Sequence, residues 1–209
     1  MATKKQIEAV DLYRSLMFEA RLRIEMMDFI VSGGTRLPEA IVHELCYLQL
    51  RMLCELIALG ALVIHGDIST KHFKKLAKEW APEKIITTLE GLHPNFYPQP
   101  VELILDKREF RTGSKPNALT KSELFTLYAK CGDALHRGTL KKILKSTQAP
   151  YGKLHVPEIV KWNQKIEDLL GTHMISSADG NMTVVCVLRD VGRNLATTTV
   201  IAERPTVAP

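Results

Sequence analysis

The sequence predicts an α+β fold that is mainly α, in which a helical bundle is followed by a small C-terminal antiparallel sheet. Three features of the 209-residue chain indicate this class. The first 65 residues hold two long segments with helical spacing of apolar residues, and capped helical segments recur up to residue 171. Residues 172–209 are rich in β-branched residues separated by turn-forming glycines. The length and ordinary composition suffice to bury one full hydrophobic core.

The first helix is predicted over Lys4 to Ser32, which contains neither proline nor glycine. Its apolar residues recur every three or four positions, as one face of a helix requires. They are Ile7, Val10, Leu16, Met17, Ile24, Met27 and Ile30. Gly33 and Gly34 follow, and glycine supplies the backbone freedom that a helix end needs.

The second helix is predicted from Pro38, which suits a first helical turn, to about His65. It is apolar on nearly every side, which is also true of a membrane span. Glu44, Arg51 and Glu55 interrupt the run, and the uncharged part that follows them is too short to cross a bilayer. We therefore interpret this segment as the buried central helix of a bundle.

Arg51 and Glu55 are four residues apart on this helix, so their side chains share a face and can pair. In a structural interpretation the pair is a strut that orients neighbouring helices. In a functional interpretation it presents the arginine to a ligand or to a second subunit. Removing one partner of a buried pair leaves an uncompensated charge at a cost of about 3 to 5 kcal/mol, whereas the intact pair adds little net stability.

Two further helices are predicted before residue 91. Ser69 or Thr70 can cap a helix that continues to Trp80, with apolar residues on one face and lysines on the other. The lysines form either a solvated surface or a nonspecific phosphate-binding stripe. Pro82 to Glu90 forms a second, short helix.

The middle of the chain predicts a change from helix to strand. Three prolines between Gly91 and Pro100 prevent a continued helix. Val101 to Arg111 has the length and residue types of one or two short strands, which places a short strand insertion near residues 101–113 of the bundle.

The next helix begins at a capping-box sequence, Thr120-Lys121-Ser122-Glu123, and continues to about Arg137 before Gly138. A basic helix from Thr139 and a helix over Pro157 to Leu170 complete the helical part, residues 1–171.

Residues 172–209 predict a β-hairpin or meander that packs on the same domain. Asp179-Gly180-Asn181 and Gly192-Arg193-Asn194 separate its β-branched runs and are hairpin signals.

Charge and cysteine content narrow the class of protein. The net charge is +5. Between Arg137 and Lys165 the sequence has seven basic residues and one acidic residue, so this segment is either a solvated surface or a surface that faces an anion. The four cysteines form no Cys-x-x-Cys pair, which predicts buried free thiols rather than a zinc ribbon or a disulfide scaffold. The N-terminus does not look like a secretory signal, and we expect a cytoplasmic protein with no membrane partner.

No cofactor or metal is expected. The chain has no glycine-rich phosphate loop, no His-Glu-x-x-His and no Gly-x-Ser-x-Gly sequence.

The segment LYAKCGDALHRG, Leu127 to Gly138, is the main candidate site, because it places Tyr128, Asp133, His136 and Arg137 on about three helical turns. Histidine suits proton transfer since its ordinary pKa is close to neutral. The structural alternative explains the same residues without a substrate. His136 and Arg137 then favour the C-terminal end of the helix dipole, Asp133 pairs with Arg137, and Tyr128 is a core residue.

The pairing of ELCYLQLRMLCELIALGALV, Glu44 to Val63, with LYAKCGDALHRG resembles the HEPN-like helical proteins. The resemblance covers mainly Lys4 to Ser146. It implies a long helical bundle, a dimer, and a late helix that ends near a histidine. In catalytic members it implies a metal-free ribonuclease whose motif is an arginine, four to six arbitrary residues and a histidine, whereas many other members only bind, dimerise or pack.

This chain departs from that catalytic motif, because Lys130 stands in the place of the arginine upstream of His136. Lysine offers a point charge where arginine offers a planar fork that matches phosphate oxygens. In a ribonuclease, His136 would take the proton from a ribose 2′-hydroxyl and Asp133 would orient the imidazole ring. Lys130 and Arg137 would hold the phosphate.

Two functions therefore remain open at this point. The first is a HEPN-like interaction or dimerisation module, a homodimer that binds another protein or a nucleic acid such as RNA. The alternative is an RNA-cleaving enzyme that acts in defence or as a toxin. The binding candidates are Tyr128, Arg51, Glu55, Lys141, Lys142 and Lys145.

Overall fold

The structure is a computed structural model that describes residues 2–66, 76, 78–93, 95–104, 109–112, 115–136, 155–188 and 197–202. The helices of this part are α1 (Lys4–Val31), α2 (Glu39–Ile64), α3 (Pro82–Leu92), α4 (Lys121–Leu135) and α5 (Val156–Leu170). The strands are β1 (Gln99–Ile104), β2 (Glu109–Thr112), β3 (Thr172–Ser176), β4 (Thr183–Val187) and β5 (Thr198–Ala202). The predicted class, α+β and mainly α, is confirmed.

Helix α1 begins at a capping box formed by Thr3 and Gln6, which was not predicted. The Thr3 hydroxyl accepts a hydrogen bond from the Gln6 backbone N–H, and the Gln6 side chain accepts one from the Thr3 backbone N–H. The helix ends at Val31, one residue before the predicted end, and Gly33 follows at a φ of +85°. That left-handed conformation is one that glycine adopts without a steric penalty.

Helix α2 is the central helix of the bundle and packs against α1, α3, α4 and α5. Within the described part, it is the one helix that is long and apolar enough to cross a membrane, with a mean hydropathy of 1.7 over its most apolar window. Of that window, 61% is buried inside the fold. The burial is that of a core helix, as predicted.

Helices α1 and α2 approach closely at Gly60. A Cβ atom at this position would lie 2.9 Å from the Tyr13 ring and 3.2 Å from the Met17 methyl carbon. The hydrogen atom of glycine therefore allows the Tyr13 ring to lie directly against α2.

All described strands belong to one antiparallel sheet with the order β2-β1-β3-β4-β5. The predicted hairpin between β3 and β4 is confirmed, with Gly180 at a φ of +69° in its turn. Strand β1 pairs with β3 through Gln99 opposite Met174 and Pro100 opposite His173. The strands near residues 101–113 and those of the C-terminal segment, which the sequence predicted separately, thus form one sheet.

Some predictions lie outside the described residues. These are most of the helix predicted from Ser69 to Trp80, the basic helix from Thr139 and the turn Gly192-Arg193-Asn194. The predicted end of α4 is corrected, because the helix ends at Leu135 instead of continuing to Arg137.

Candidate functional site

Helix α4 carries most of the predicted site residues and begins where the sequence predicts. The Thr120 hydroxyl accepts a hydrogen bond from the Glu123 backbone N–H, and the Glu123 carboxylate accepts one from the Thr120 backbone N–H. Leu124, Leu127 and Cys131 are fully buried. This spacing of three and four residues lays one face of α4 against α2.

Arg51, Glu55 and Tyr128 form a closed hydrogen-bonded set, here called the Arg51 cluster. Arg51 Nε donates to Glu55 Oε1 at 3.3 Å, which confirms the predicted pair, and Arg51 Nη2 donates to the Tyr128 hydroxyl at 2.8 Å. That hydroxyl donates in turn to Glu55 Oε1 at 3.2 Å. The guanidinium carbon also lies 4.6 Å from the centre of the Tyr128 ring, within the range of a cation–π contact.

The Arg51 cluster is largely shielded from water. The side chains of Arg51 and Glu55 are 23% and 19% exposed. Burial, and next the Glu55 carboxylate, raise the pKa of Tyr128 to about 12, so its hydroxyl stays protonated at neutral pH. The cluster joins α2 to α4 as a strut, and its polar groups form hydrogen bonds with one another.

Lys130, Glu158 and Tyr47 form a second set, the Lys130 cluster, which joins α4, α5 and α2. The Lys130 ammonium pairs with Glu158 Oε1, and the Tyr47 hydroxyl donates to Glu158 Oε2 at 3.4 Å. The hydrogen bond from Lys130 is the main cause that lowers the pKa of Glu158. The carboxylate therefore stays ionised and neutralises the charge of Lys130.

His136 and Asp133 share no hydrogen bond or ion pair with the described residues of either cluster, although Asp133 lies one turn after Lys130 on α4. His136 is the C-cap of α4 in an extended conformation, and its backbone N–H donates to the Gly132 carbonyl at 3.0 Å. Both side chains are exposed, and neither forms a hydrogen bond or an ion pair with another described residue. The described structure thus brings Arg51, Glu55 and Tyr128 together, but it does not join them to His136.

Four predicted site residues lie outside the described part of the chain. They are Arg137, Lys141, Lys142 and Lys145.

The cysteines are all buried and unpaired, as predicted. Burial raises the pKa of Cys131, the cysteine within the candidate segment, to about 12, so its thiol is protonated and a poor nucleophile at neutral pH. Among the described residues, no group of three His, Cys, Asp or Glu side chains is arranged to hold a metal ion.

Tyr47 and Glu158 were not among the predicted site residues. Tyr47, Arg51 and Glu55 follow one another at intervals of four on α2, and this polar line on an otherwise apolar helix could have indicated a face turned towards charged partners. No such local signal identifies Glu158, because its contact with Lys130 joins two separate helices.

Comparison with known proteins adds no relative: no protein-family model, no curated protein sequence and no solved structure matches this chain.

Proposed function

We propose that this chain is a HEPN-like helical interaction module, a homodimer in the cytoplasm that binds another protein. The observation that supports this function is the internal pairing of Arg51 and Lys130, the two described cations of the candidate site, with Glu55 and Glu158. A cation that is already paired with a carboxylate of its own chain must give up that partner before it can hold a phosphate.

The distribution of charge favours a protein over a nucleic acid as the partner. Within the described part of the chain, Lys121 also pairs with Glu90, and Lys165 with Glu123. Nucleic-acid affinity depends on cations that are free to replace the counterions of phosphates. Paired lysines serve that purpose poorly.

A ribonuclease is the second candidate, and one observation favours it. His136 is exposed at the end of α4, where its imidazole can reach a substrate. In that case His136 removes the proton of a ribose 2′-hydroxyl, and the cation that stabilises the developing phosphorane comes from outside the two ion-paired clusters.

The test is an RNA-cleavage assay with a mixed pool of single-stranded RNAs and three proteins: wild type, His136→Ala and the control His43→Ala. An interaction module leaves the RNA intact in all three samples. Cleavage by wild type and His43→Ala that is lost in folded His136→Ala would overturn the proposal in favour of the ribonuclease.

RNA binding is measured on the same pool by fluorescence anisotropy at several salt concentrations. We expect no binding that survives physiological salt. Tight binding that weakens steeply with added salt would replace the protein partner with RNA.

A further inference from the structure

The outward face of α1 carries a stripe of large apolar side chains, formed by Phe18, Leu22, Met26 and Phe29. They are 44%, 46%, 47% and 55% exposed, respectively. Their spacing of four, four and three residues aligns them along about 16 Å of the helix. Four large apolar neighbours in one line are unlike the single exposed apolar residues that every protein surface has.

The opposite face of α1 is already occupied by the core. Its buried residues recur along the whole helix. They are Val10, Tyr13, Met17, Ala20, Ile24, Met27 and Ile30. A surface helix normally has one apolar side and one polar side, and a helix that is apolar on both sides is typically covered on both.

The two flanks of the stripe carry balanced charges. On one flank Arg21 Nε lies 3.0 Å from Glu25 Oε1, and on the other Arg23 Nη2 lies 2.5 Å from Glu19 Oε1. Arg23 Nη1 also donates to Gln49 Oε1 of α2 at 2.8 Å. Each flank thus has one arginine and one glutamate. A strongly basic partner would be repelled by the arginine of each flank, and a strongly acidic partner by the glutamate. A surface that has the same balance of one arginine and one glutamate on each flank would not be repelled in this way.

We propose that this stripe binds the same stripe of a second copy, with the two α1 helices antiparallel and a two-fold axis at Leu22. Leu22 then faces Leu22 of the second copy, and Phe18 faces Met26. In an antiparallel pair like flanks meet, so the neutral Arg23–Glu19 pair of one copy lies beside the same neutral pair of the other. This inference deepens the proposed function by naming the surface through which the module dimerises.

Light scattering on the size-exclusion eluate tests the assembly. We expect wild type to elute at twice the 23.5 kDa chain mass. Leu22→Lys should elute as a folded monomer, because the two-fold axis would place the ammonium groups of the two introduced lysines next to each other. Leu92→Lys is the matched control, since Leu92 is a similarly exposed leucine, 40%, at the end of α3. A monomeric wild type, or a Leu22→Lys protein that stays as dimeric as the control, overturns the proposal.

Cross-linking tests the antiparallel arrangement even if the lysine variant fails to fold. Leu22→Cys should form a disulfide-linked dimer with oxidised glutathione, which accepts the two electrons and protons of the paired thiols. Leu92→Cys should not cross-link, and the native cysteines are buried. If the protein is a dimer but Leu22→Cys does not cross-link, the two-fold axis does not lie at Leu22. This inference rests on the homodimer of the proposed function, and a monomeric wild type would contradict both. A dimeric wild type in which Leu22→Lys or Leu22→Cys behaves like its Leu92 control overturns this surface alone and leaves the proposed function standing.

Discussion

The Tyr13 hydroxyl lies 2.5 Å from His173 Nε2, with both side chains fully buried. His173 Nδ1 lies 2.7 Å from the Leu170 carbonyl oxygen, which can only accept, so Nδ1 carries the ring proton. Nε2 is then the acceptor and the Tyr13 hydroxyl donates to it. This bond fixes α1 to β3 and so joins the beginning of the bundle to the C-terminal part of the sheet.

Tyr13→Phe should destabilise the protein by about 1 to 3 kcal/mol, because it leaves the buried Nε2 acceptor of His173 without a donor. Urea unfolding at neutral pH measures the loss. Tyr47→Phe is the matched control, since its hydroxyl makes only a long hydrogen bond of 3.4 Å to Glu158. Equal losses in the two variants would show that the Tyr13 bond has no special importance.

Stability should decrease on acidification through His173. Burial lowers its pKa in the folded protein from 6.5 to about 4. Between these values the unfolded chain binds a proton that the folded protein does not, so the free energy of unfolding falls as the pH falls. The loss contributed by this residue approaches about 3 kcal/mol below pH 4.

The check is unfolding at several pH values between 7 and 4 for wild type and for the double variant Tyr13→Phe, His173→Leu. The double variant removes the imidazole ring that titrates. It also removes the Tyr13 hydroxyl, which would otherwise lose its hydrogen-bond acceptor. Its stability should depend less steeply on pH in this window. An unchanged slope would assign the pH dependence to other groups.

The sequence predicted those parts of the fold that local chemistry determines. The capping box at Thr120, the turn at Gly180 and the apolar spacing of α2 each lie within a short segment, and each is confirmed. The pairing of Gln99 with Met174 has no local signal, because two strands far apart in the chain meet only when the bundle has folded.

The same distinction applies to the candidate site. The Arg51–Glu55 pair was predictable because both residues lie on one helix. The bond from Lys130 to Glu158 was not, since a carboxylate on another helix turns a candidate phosphate-binding lysine into part of an ion pair. Sequence spacing identifies residues that can act together. Tertiary contacts decide whether the charges of those residues are already paired with opposite charges elsewhere in the fold.

Arg51→Ala should destabilise the protein by about 1 to 3 kcal/mol, because Glu55 and Tyr128 lose the guanidinium that donates a hydrogen bond to each of them in a mostly buried cluster. Water that still reaches the Glu55 carboxylate limits the cost. Arg14→Ala is the control, since Arg14 pairs with Asp11 on an exposed surface and should cost less than about 1 kcal/mol.

Thermal unfolding measures both arginine variants, and adding Tyr128→Phe completes a double-mutant cycle with Arg51→Ala. The two losses should not add, because each variant breaks the same Arg51–Tyr128 hydrogen bond. Strict additivity would mean that the two side chains do not interact in solution.

Gly60→Ala and Gly132→Ala should change stability in opposite directions, although both put alanine into a helix, where it is favoured over glycine by up to about 1 kcal/mol. At Gly60 the new Cβ would lie 2.9 Å from the Tyr13 ring, which cannot retreat without breaking its bond to His173. Overpacking of this kind costs about 1 to 3 kcal/mol and outweighs the helix preference. At Gly132 the nearest atom is Arg51 Nη1 at 4.0 Å, an ordinary contact, so alanine should stabilise α4. Urea midpoints that shift in the same direction for both variants would contradict the close contact between α1 and α2.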